Sequence, residues 1–451
     1  MDNHKASFVL NLQKGNKAQK KGDLVKALRH FKIAHRREPD HAVTNLAMGT
    51  VYVQKEMYGH AVRFIKRSLE LDPSVSEAWN NLCVALRHAG TELQAAEAAR
   101  EGLTHAPDDV PLLTNLGAVC FVAGLLDEAE EVLRRAVALD SQCVDAHWNL
   151  GLALLTNGNF KEGWPEYDWG FKAGERIVRP YWDEYPEWLG EDVKDKIVLV
   201  WGEQGIGDEI LFSSCINQLR DAGAGVVMDC HPRLIPMFKR SFPWVLGFGA
   251  RKDEDWGWSK NLEIDHHIPS GSLPLMFNLP KEPSTAYLHA DPTRVAHWRT
   301  EFNRPVIGIS WRGGSKKNAI ERRSIDLDTF IQPFLGKDVH LVSLQYGDVM
   351  REVQKVEKRY GIDLHHELWA IEDYDECAAM TAACDRVITV TTAAGHLAGS
   401  LGVPTTALVP KAAPWRWPKG DQHPWYASVK MVHQTEDYEW GPVLARIGEE
   451  L

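Results

Sequence analysis

The 451-residue chain lacks several things that would narrow its class at once. No apolar run approaches the roughly 18 residues needed to cross a bilayer, so no transmembrane segment is expected. The first 20 residues hold no signal-peptide h-region, and secretion is not expected. Cysteine is sparse: Cys83, Cys120, Cys143, Cys215, Cys230, Cys377 and Cys384 are odd in number, scattered, and form no C-x-x-C. That pattern argues against a disulfide framework or a zinc site and fits a reducing, cytoplasmic setting. Positive charge is not in excess either. A net charge of −11 makes nucleic acid an unexpected partner for the whole chain.

What is present is an internal period. Ala27, Ala61, Ala95 and Ala129 recur every 34 residues, with Gly163 in the fifth place. Gly15, Gly49, Gly117 and Gly151 form a second register, with Cys83 in its third slot. Gly22, Gly90, Gly124 and Gly158 form another, interrupted by Glu56, and Pro39, Pro73 and Pro107 close the first three units. Small residues at a helix crossing, glycine after a first helix and proline after a second describe a stacked helical hairpin. Trp79, Leu82 and Leu86 repeat at i, i+3 and i+7, one buried helix face. The period and its markers resemble tetratricopeptide repeats, four full units over 8–143 and a partial one over 144–169. Such an array implies a curved α-helical solenoid with a concave surface for a protein partner, or else a rigid scaffold for the downstream domain. Its charge is uneven: residues 1–70 carry 14 Lys/Arg against 6 Asp/Glu, and 71–160 carry 4 against 13. A solvated helix face accounts for that bias as well as an acidic partner does.

Residues 170–195 leave the period and are crowded with aromatics, among them Phe171, Tyr181, Trp182, Tyr185 and Trp188. A flexible linker would be rich in glycine and serine; this segment is expected to pack. From Lys196 onward short apolar runs alternate with amphipathic stretches. Strands are expected at 197–201, 225–230, 262–268, 306–310, 339–345, 387–390 and 405–409, with helices between. Alternation of this kind points to parallel sheets wound by right-handed crossovers, in two halves over 196–295 and 296–451.

The ordered motifs GEQGIGDEI (202–210), VIGISWRGG (306–314) and TTAAGHLAGSLGVPTTALVP (391–410) resemble heptosyltransferase-like glycosyltransferases. Those enzymes have the GT-B architecture of two Rossmann-like halves, and the likeness is greatest to the branch in which tetratricopeptide repeats precede the transferase. Trp415-Arg416-Trp417 and Pro424-Trp425-Tyr426 match the tail of that branch. The resemblance runs over essentially the full chain from residue 8. It implies a hexosyl- or heptosyl-type transfer from a nucleotide-sugar donor to a protein or glycan acceptor brought by the repeats, with no metal and no cofactor. The first half would hold the acceptor and the second the donor, with the last helix crossing back to the first half. The alternative is a non-catalytic repeat scaffold fused to a degenerate transferase-like module.

Residue by residue, the resemblance makes Asp208 the general base, although at the start of a helix an aspartate also reads as a cap. It makes Gly205 and Gly207 the glycines that admit the substrates. Lys316 or Lys317 falls where a lysine meets the donor diphosphate, and Thr391, Thr392, Ala393, Gly395 and His396 span the loop and helix start that receive it. Relatives commonly carry Asp where this chain has Thr391. From the residues themselves, Arg312, Lys316, Lys317, Arg322 and Arg323 concentrate positive charge after a strand. That run reads equally as a solvated loop, and His396 as a phosphate donor or a buried histidine. Asp253-Glu254-Asp255 and Asp326-Leu327-Asp328 read D-x-D, but neither ends a strand in a context suited to Mg²⁺. His266-His267 and His365-His366 lack the i, i+4 spacing of helical zinc ligands. Ile210 stands where a dinucleotide fingerprint needs its third glycine.

Overall fold

The computed structural model describes residues 3–179, 181–251, 258, 262–302, 305–313, 321–436 and 439–451. The chain forms two compact units, Met1–Asn157 and Gly158–Leu451. The first is helical throughout: α1 (Asn3–Lys20), α2 (Leu24–Arg37), α3 (Ala42–Gln54), α4 (Tyr58–Leu71), α5 (Ser76–His88), α6 (Glu92–His105), α7 (Val110–Val122), α8 (Leu126–Leu139) and α9 (Val144–Thr156).

Each 34-residue marker has a mechanical cause here. A Cβ on Gly15, Gly49 or Gly117 would fall 2.4, 2.4 and 2.3 Å from Phe31, Ile65 and Leu133, so glycine lets the two helices of a hairpin cross. Phe31, Ile65 and Leu133 are themselves in register, and in the third unit Ala99 replaces them just where Cys83 replaces glycine. The larger residue on one helix is met by the smaller on the other, and both are fully buried. Ala27, Ala61, Ala95 and Ala129 are also fully buried. Gly22, Gly90, Gly124 and Gly158 have φ between 75° and 82°, and Glu56 adopts φ 57° in the same slot. At four of these ends, the amide three residues past the helix bonds back to the last turn, as in Thr91 N–H to Leu86 O at 3.1 Å and Met57 N–H to Tyr52 O at 2.9 Å.

The second unit opens with α10 (Phe160–Tyr167) and α11 (Tyr181–Glu184). It continues with β1 (Ile197–Trp201), α12 (Ile206–Ser213), α13 (Ile216–Asp221), β2 (Gly225–Cys230), α14 (Ile235–Ser241), β3 (Gly247–Ala250), β4 (His266–Pro269), α15 (Leu273–Phe277) and α16 (Pro292–Glu301). A second run holds β5 (Val306–Ser310), α17 (Leu327–Phe330), β6 (His340–Ser343), α18 (Met350–Tyr360), β7 (Leu364–His365), α19 (Leu368–Glu372) and α20 (Tyr374–Ala383). It ends with β8 (Arg386–Val390), α21 (Ala393–Ser400), β9 (Thr405–Val409), β10 (Val429–His433) and α22 (Gly441–Glu449).

Two sheets result, ordered β3-β2-β1-β4 and β10-β9-β8-β5-β6-β7. All their pairings are parallel. Both have the doubly wound order in which the chain starts at the centre, builds outward, and returns to the other side. Strand order therefore reverses between β1 and β4 in one sheet and between β5 and β8 in the other. Helices cover the faces, so the strands are apolar on both sides, and Val306–Ser310 is buried at every position.

The aromatic connector packs within this unit. Trp164 donates its indole N–H to Leu279 O at 2.6 Å, Trp188 N–H bonds His267 O at 2.8 Å, and Trp182 lies 5.6 Å from the His267 ring. The helix over 160–167, which the period assigns to a partial fifth repeat, sits here. The C-terminal helix α22 buries Val443, Leu444 and Ile447 in the core under the six-stranded sheet, with Phe330 and Phe334. The tail segment that reaches back to the first half is instead 415–426, because it carries the large aromatics: Trp415 stacks on Phe212 at 6.0 Å, and Ser284 N–H bonds Trp425 O at 3.0 Å.

Candidate functional site

The loops that leave the two reversal points meet. From β1 the chain runs through residues 202–205 into α12; from β5 it runs through 311–313; from β8 it runs through Thr391 and Thr392 into α21. A Cβ on Gly207 would lie 3.1 Å from His396 Cδ2 and 3.4 Å from Ala393 Cα, so glycine there lets α12 approach α21. A Cβ on Gly313 would lie 2.8 Å from Thr392 Cγ2, and one on Gly395 would lie 2.7 Å from the Trp417 ring. Gly205, at φ −80°, has open space on its Cβ side, with only Asp208 Oδ2 at 3.5 Å.

Asp208 stands at the third position of α12. Its Oδ2 accepts the Gly205 N–H at 3.1 Å, which is the capping role, and its Oδ1 accepts from Arg416 Nε. Arg416 Nη2 also donates to Gln204 Oε1. Gln204 is held on both sides, since its Nε2 donates to Tyr167 Oη at 2.7 Å and its carbonyl accepts from Arg251 Nη1 at 2.7 Å. Glu203 beside it is fully buried and takes a bidentate pair from Arg176, at 2.7 Å to Oε2 and 2.5 Å to Oε1. Arg176, also buried, bonds Asp168 and Ser272 and lies 3.9 Å over the Phe171 ring. Burial opposes its charge, but Glu203 and Asp168 outweigh it and hold the guanidinium above its ordinary pKa. The connector thus clamps the loop that presents Asp208. Next along α12, Glu209 turns inward to Arg251 at 2.5 Å and accepts the His231 N–H at 2.6 Å. Burial nonetheless pushes its carboxyl up to about 7.

Alternation along the tail aims Arg416. Trp415 points into a cluster with Trp164 and Tyr167, and Trp417 covers His396 at 4.7 Å, so the residue between them projects to Asp208. Arg323 joins from the segment before α17: its Nε donates to Thr391 Oγ1 at 3.1 Å and its Nη2 to Thr391 O. Among the described residues Arg323 has no carboxylate partner. Burial, reinforced by Arg416, lowers its pKa to about 10. His396 Nδ1 lies 3.1 Å from Tyr426 Oη, and burial together with His423 and the two arginines drives its pKa well down, so it is neutral.

The sequence-derived residues therefore divide. Asp208, Gly205, Gly207, Thr391, Thr392, Ala393, Gly395 and His396 lie around one meeting of loops. Thr392 is the N-cap residue of α21 but makes no side-chain cap bond; its hydroxyl lies 3.1 Å from that of Thr389. Arg312 is turned to α18, where its Nη1 pairs with Glu352 at 2.6 Å. Lys316, Lys317 and the Asp253-Glu254-Asp255 stretch lie outside the described residues. Asp328 of the other D-x-D pairs with Lys355 at 2.8 Å and Arg359 at 3.3 Å. His267 Nδ1 accepts the Trp201 indole N–H at 3.0 Å, and burial lowers its pKa to about 4. His366 Nδ1 lies 3.0 Å from Ser343 Oγ. Among the described residues no group of three or more His, Cys, Asp or Glu is gathered to hold a metal.

Sequence reasoning does not single out Arg416 or Arg323 as site residues. The available signal is an arginine between two tryptophans, since a cation held there by two buried neighbours has a fixed direction. A separate crevice of about 470 Å³ runs beside Glu321, Asp326 and Glu439. Its acidic lining is a poor match for a phosphate-bearing ligand.

The first unit is a helical repeat array similar to tetratricopeptide repeats, and the second is an α/β unit of two parallel sheets. The tetratricopeptide repeat family model matches residues 114–167. Protein FlbA of Caulobacter vibrioides is 28% identical over 498 aligned residues, covering 96% of this chain and 82% of that protein. Similar solved structures include the MamA protein, 22% identical, covering 38% of this chain and 98% of that one, with a TM-score of 0.34. TTC0263, a tetratricopeptide protein of Thermus thermophilus, is 20% identical over 37% of this chain and 90% of its own, with a TM-score of 0.32. No described helix is long and apolar enough to cross a membrane.

Proposed function

We propose that the second unit is a glycosyltransferase of GT-B type that moves a hexosyl- or heptosyl-type sugar from a nucleoside diphosphate to an acceptor. The acceptor is a protein or glycan recruited by the repeat array, whose fold is suited to binding extended partners. The observation that carries this reading is the meeting of two strand-order reversals, one presenting the Asp208 carboxylate, with the guanidiniums of Arg323 and of Arg416 from the tail brought to the same place. Crevices at such reversals are where doubly wound sheets bind ligands.

In the transfer, an acceptor hydroxyl gives its proton to Asp208 and its oxygen bonds the anomeric carbon. The bond from that carbon to the diphosphate oxygen breaks, and its electron pair leaves with the nucleoside diphosphate. Asp208 acts as the base, while Arg416 and Arg323 offset the charge that develops on the leaving group. The sequence resemblance implies further donor contacts from Thr391 to His396 and from Lys316 or Lys317, the two lysines lying outside the described residues.

A panel of sugar nucleotides, scored for nucleotide release with and without cell lysate, tests the reading. Asp208→Asn should lower transfer by about 10²-fold or more while the donor still binds. Transfer that survives this change would remove Asp208 from the mechanism. A second reading, a non-catalytic scaffold, draws on the engagement of both Asp208 oxygens and on Thr391 in place of the family's Asp. It predicts no release and no thermal stabilisation by any nucleotide.

A further inference from the structure

Both oxygens of Asp208 are already engaged. One is held by the Gly205 amide and the other by Arg416, so neither is open to an acceptor hydroxyl. A base that must accept a proton therefore needs Arg416 to let go. Arg416 has somewhere to go. Its neighbour Arg323 is a half-buried cation whose described bonds go to a hydroxyl and a carbonyl, not to a carboxylate. A partly buried cation with no carboxylate bonded to it is costly, and although the Asp208 charge eases that cost, a second guanidinium beside it raises it. A diphosphate lying between the two arginines would answer both, with planar N–H donors matched to phosphate oxygens.

We propose that Arg416 is a two-position latch, pairing either with Asp208 or, together with Arg323, with the diphosphate of a bound nucleotide-sugar, so that diphosphate binding is what frees Asp208. The proposal rests on the transferase reading for its purpose but not for its test. Its geometry suits the motion. The backbone is fixed by the buried rings of Trp415 and Trp417, whereas the Arg416 side chain keeps 25% of its surface exposed, so an anion can reach it. Arg416 uses Nε and Nη2 in its bonds to Asp208 and Gln204, leaving Nη1 to begin the contact with an incoming anion. Donor would then bind before the acceptor is deprotonated, which protects the donor from premature attack by water.

Inorganic pyrophosphate, the part common to all nucleoside-diphosphate sugars, is the probe. Its affinity for the full chain is measured by calorimetry, with thermal melts confirming that each variant is folded. Arg416→Gln and Arg323→Gln should each weaken binding by about 10-fold. Arg416→Lys should recover part of that loss, because it keeps the charge and loses the planar fork. Asp208→Asn should tighten binding several-fold by removing the competing partner, and the gain should vanish in an Arg416→Gln background. A gain that persists in that background is general electrostatics and overturns the latch. So does unchanged affinity in both single arginine variants. The transferase reading fails separately: the full pattern with pyrophosphate, but no transfer from any sugar nucleotide, leaves a diphosphate-binding latch without that enzyme.

Discussion

The repeat array and the two-sheet unit solve packing over different sequence distances. In the array each helix is positioned by residues less than one period away: Gly117 by Leu133 within a hairpin, and Arg100 by Glu128 across neighbours. In the second unit the decisive bonds join residues far apart: Trp164 to Leu279, Arg176 to Ser272, Asp208 to Arg416. A quasi-one-dimensional array tolerates a local fault because the fault stays local. The two-sheet unit concentrates its long-range bonds behind one loop, so a fault there spreads. The same contrast separates what each is suited to, a regular surface on one side and a single preorganised site on the other.

The largest expected effect comes from breaking that concentration. Arg176→Ala leaves Glu203 buried without its bidentate partner and should cost about 3–5 kcal/mol. The loss should appear by hydrogen exchange in the second unit, first around residues 202–205, with α1 to α9 keeping their protection. Equal loss in the array would erase the difference between the two units.

A smaller effect tests compensation inside the array. Gly117→Ala drives a methyl into Leu133 and should cost about 1–3 kcal/mol. Leu133→Ala alone leaves a cavity and should cost about 2–5 kcal/mol. Together they approximate the Cys83 and Ala99 pairing of the third unit, so the double variant should be more stable than the sum of the singles by at least about 1 kcal/mol. Additive losses in denaturant titrations would mean that the third unit's exchange of sizes is incidental.

The contrast also explains what could be read from the sequence. The array was legible because its physics repeats: four spacings of 34 residues expose helix crossings and left-handed turns without any structure. Strands such as 197–201, 225–230 and 306–310 were legible because burial on both faces makes them continuous apolar runs. The missed strands lack that signal. β3 is Gly247-Phe248-Gly249-Ala250, with two glycines, and β10 carries an exposed Lys430 on a sheet edge. Likewise Asp208 was visible from its place after a glycine turn, but its partner lies 208 residues away, and no local pattern joins them. Arg323 sits in a basic run whose other described cation near the strand, Arg312, faces Glu352 instead, so composition could not say which charge belongs to the site.

The smallest prediction concerns the one described turn where the repeat departs from glycine. Glu56 holds φ 57°, a conformation that costs a side chain about 1–2 kcal/mol, in a slot where Gly22, Gly90, Gly124 and Gly158 meet no such penalty. Its amide and that of Met57 still make the helix-ending bonds, to Val53 O and Tyr52 O at 2.9 Å each, so the strain is borne and not relieved. Glu56→Gly removes it, while the extra freedom of glycine in the unfolded chain returns part of the gain. Glu56 is exposed, so little packing is lost. The net expectation is stabilisation of the array by about 0.5–1 kcal/mol, and Gly90→Ala should destabilise by a similar amount. Both should leave the melting of the second unit unchanged. If Glu56→Gly destabilises, then Glu56 contributes through its charge, which raises the pKa of His88 against the burial that lowers it, and the interruption of the glycine register is a compensated feature of that turn.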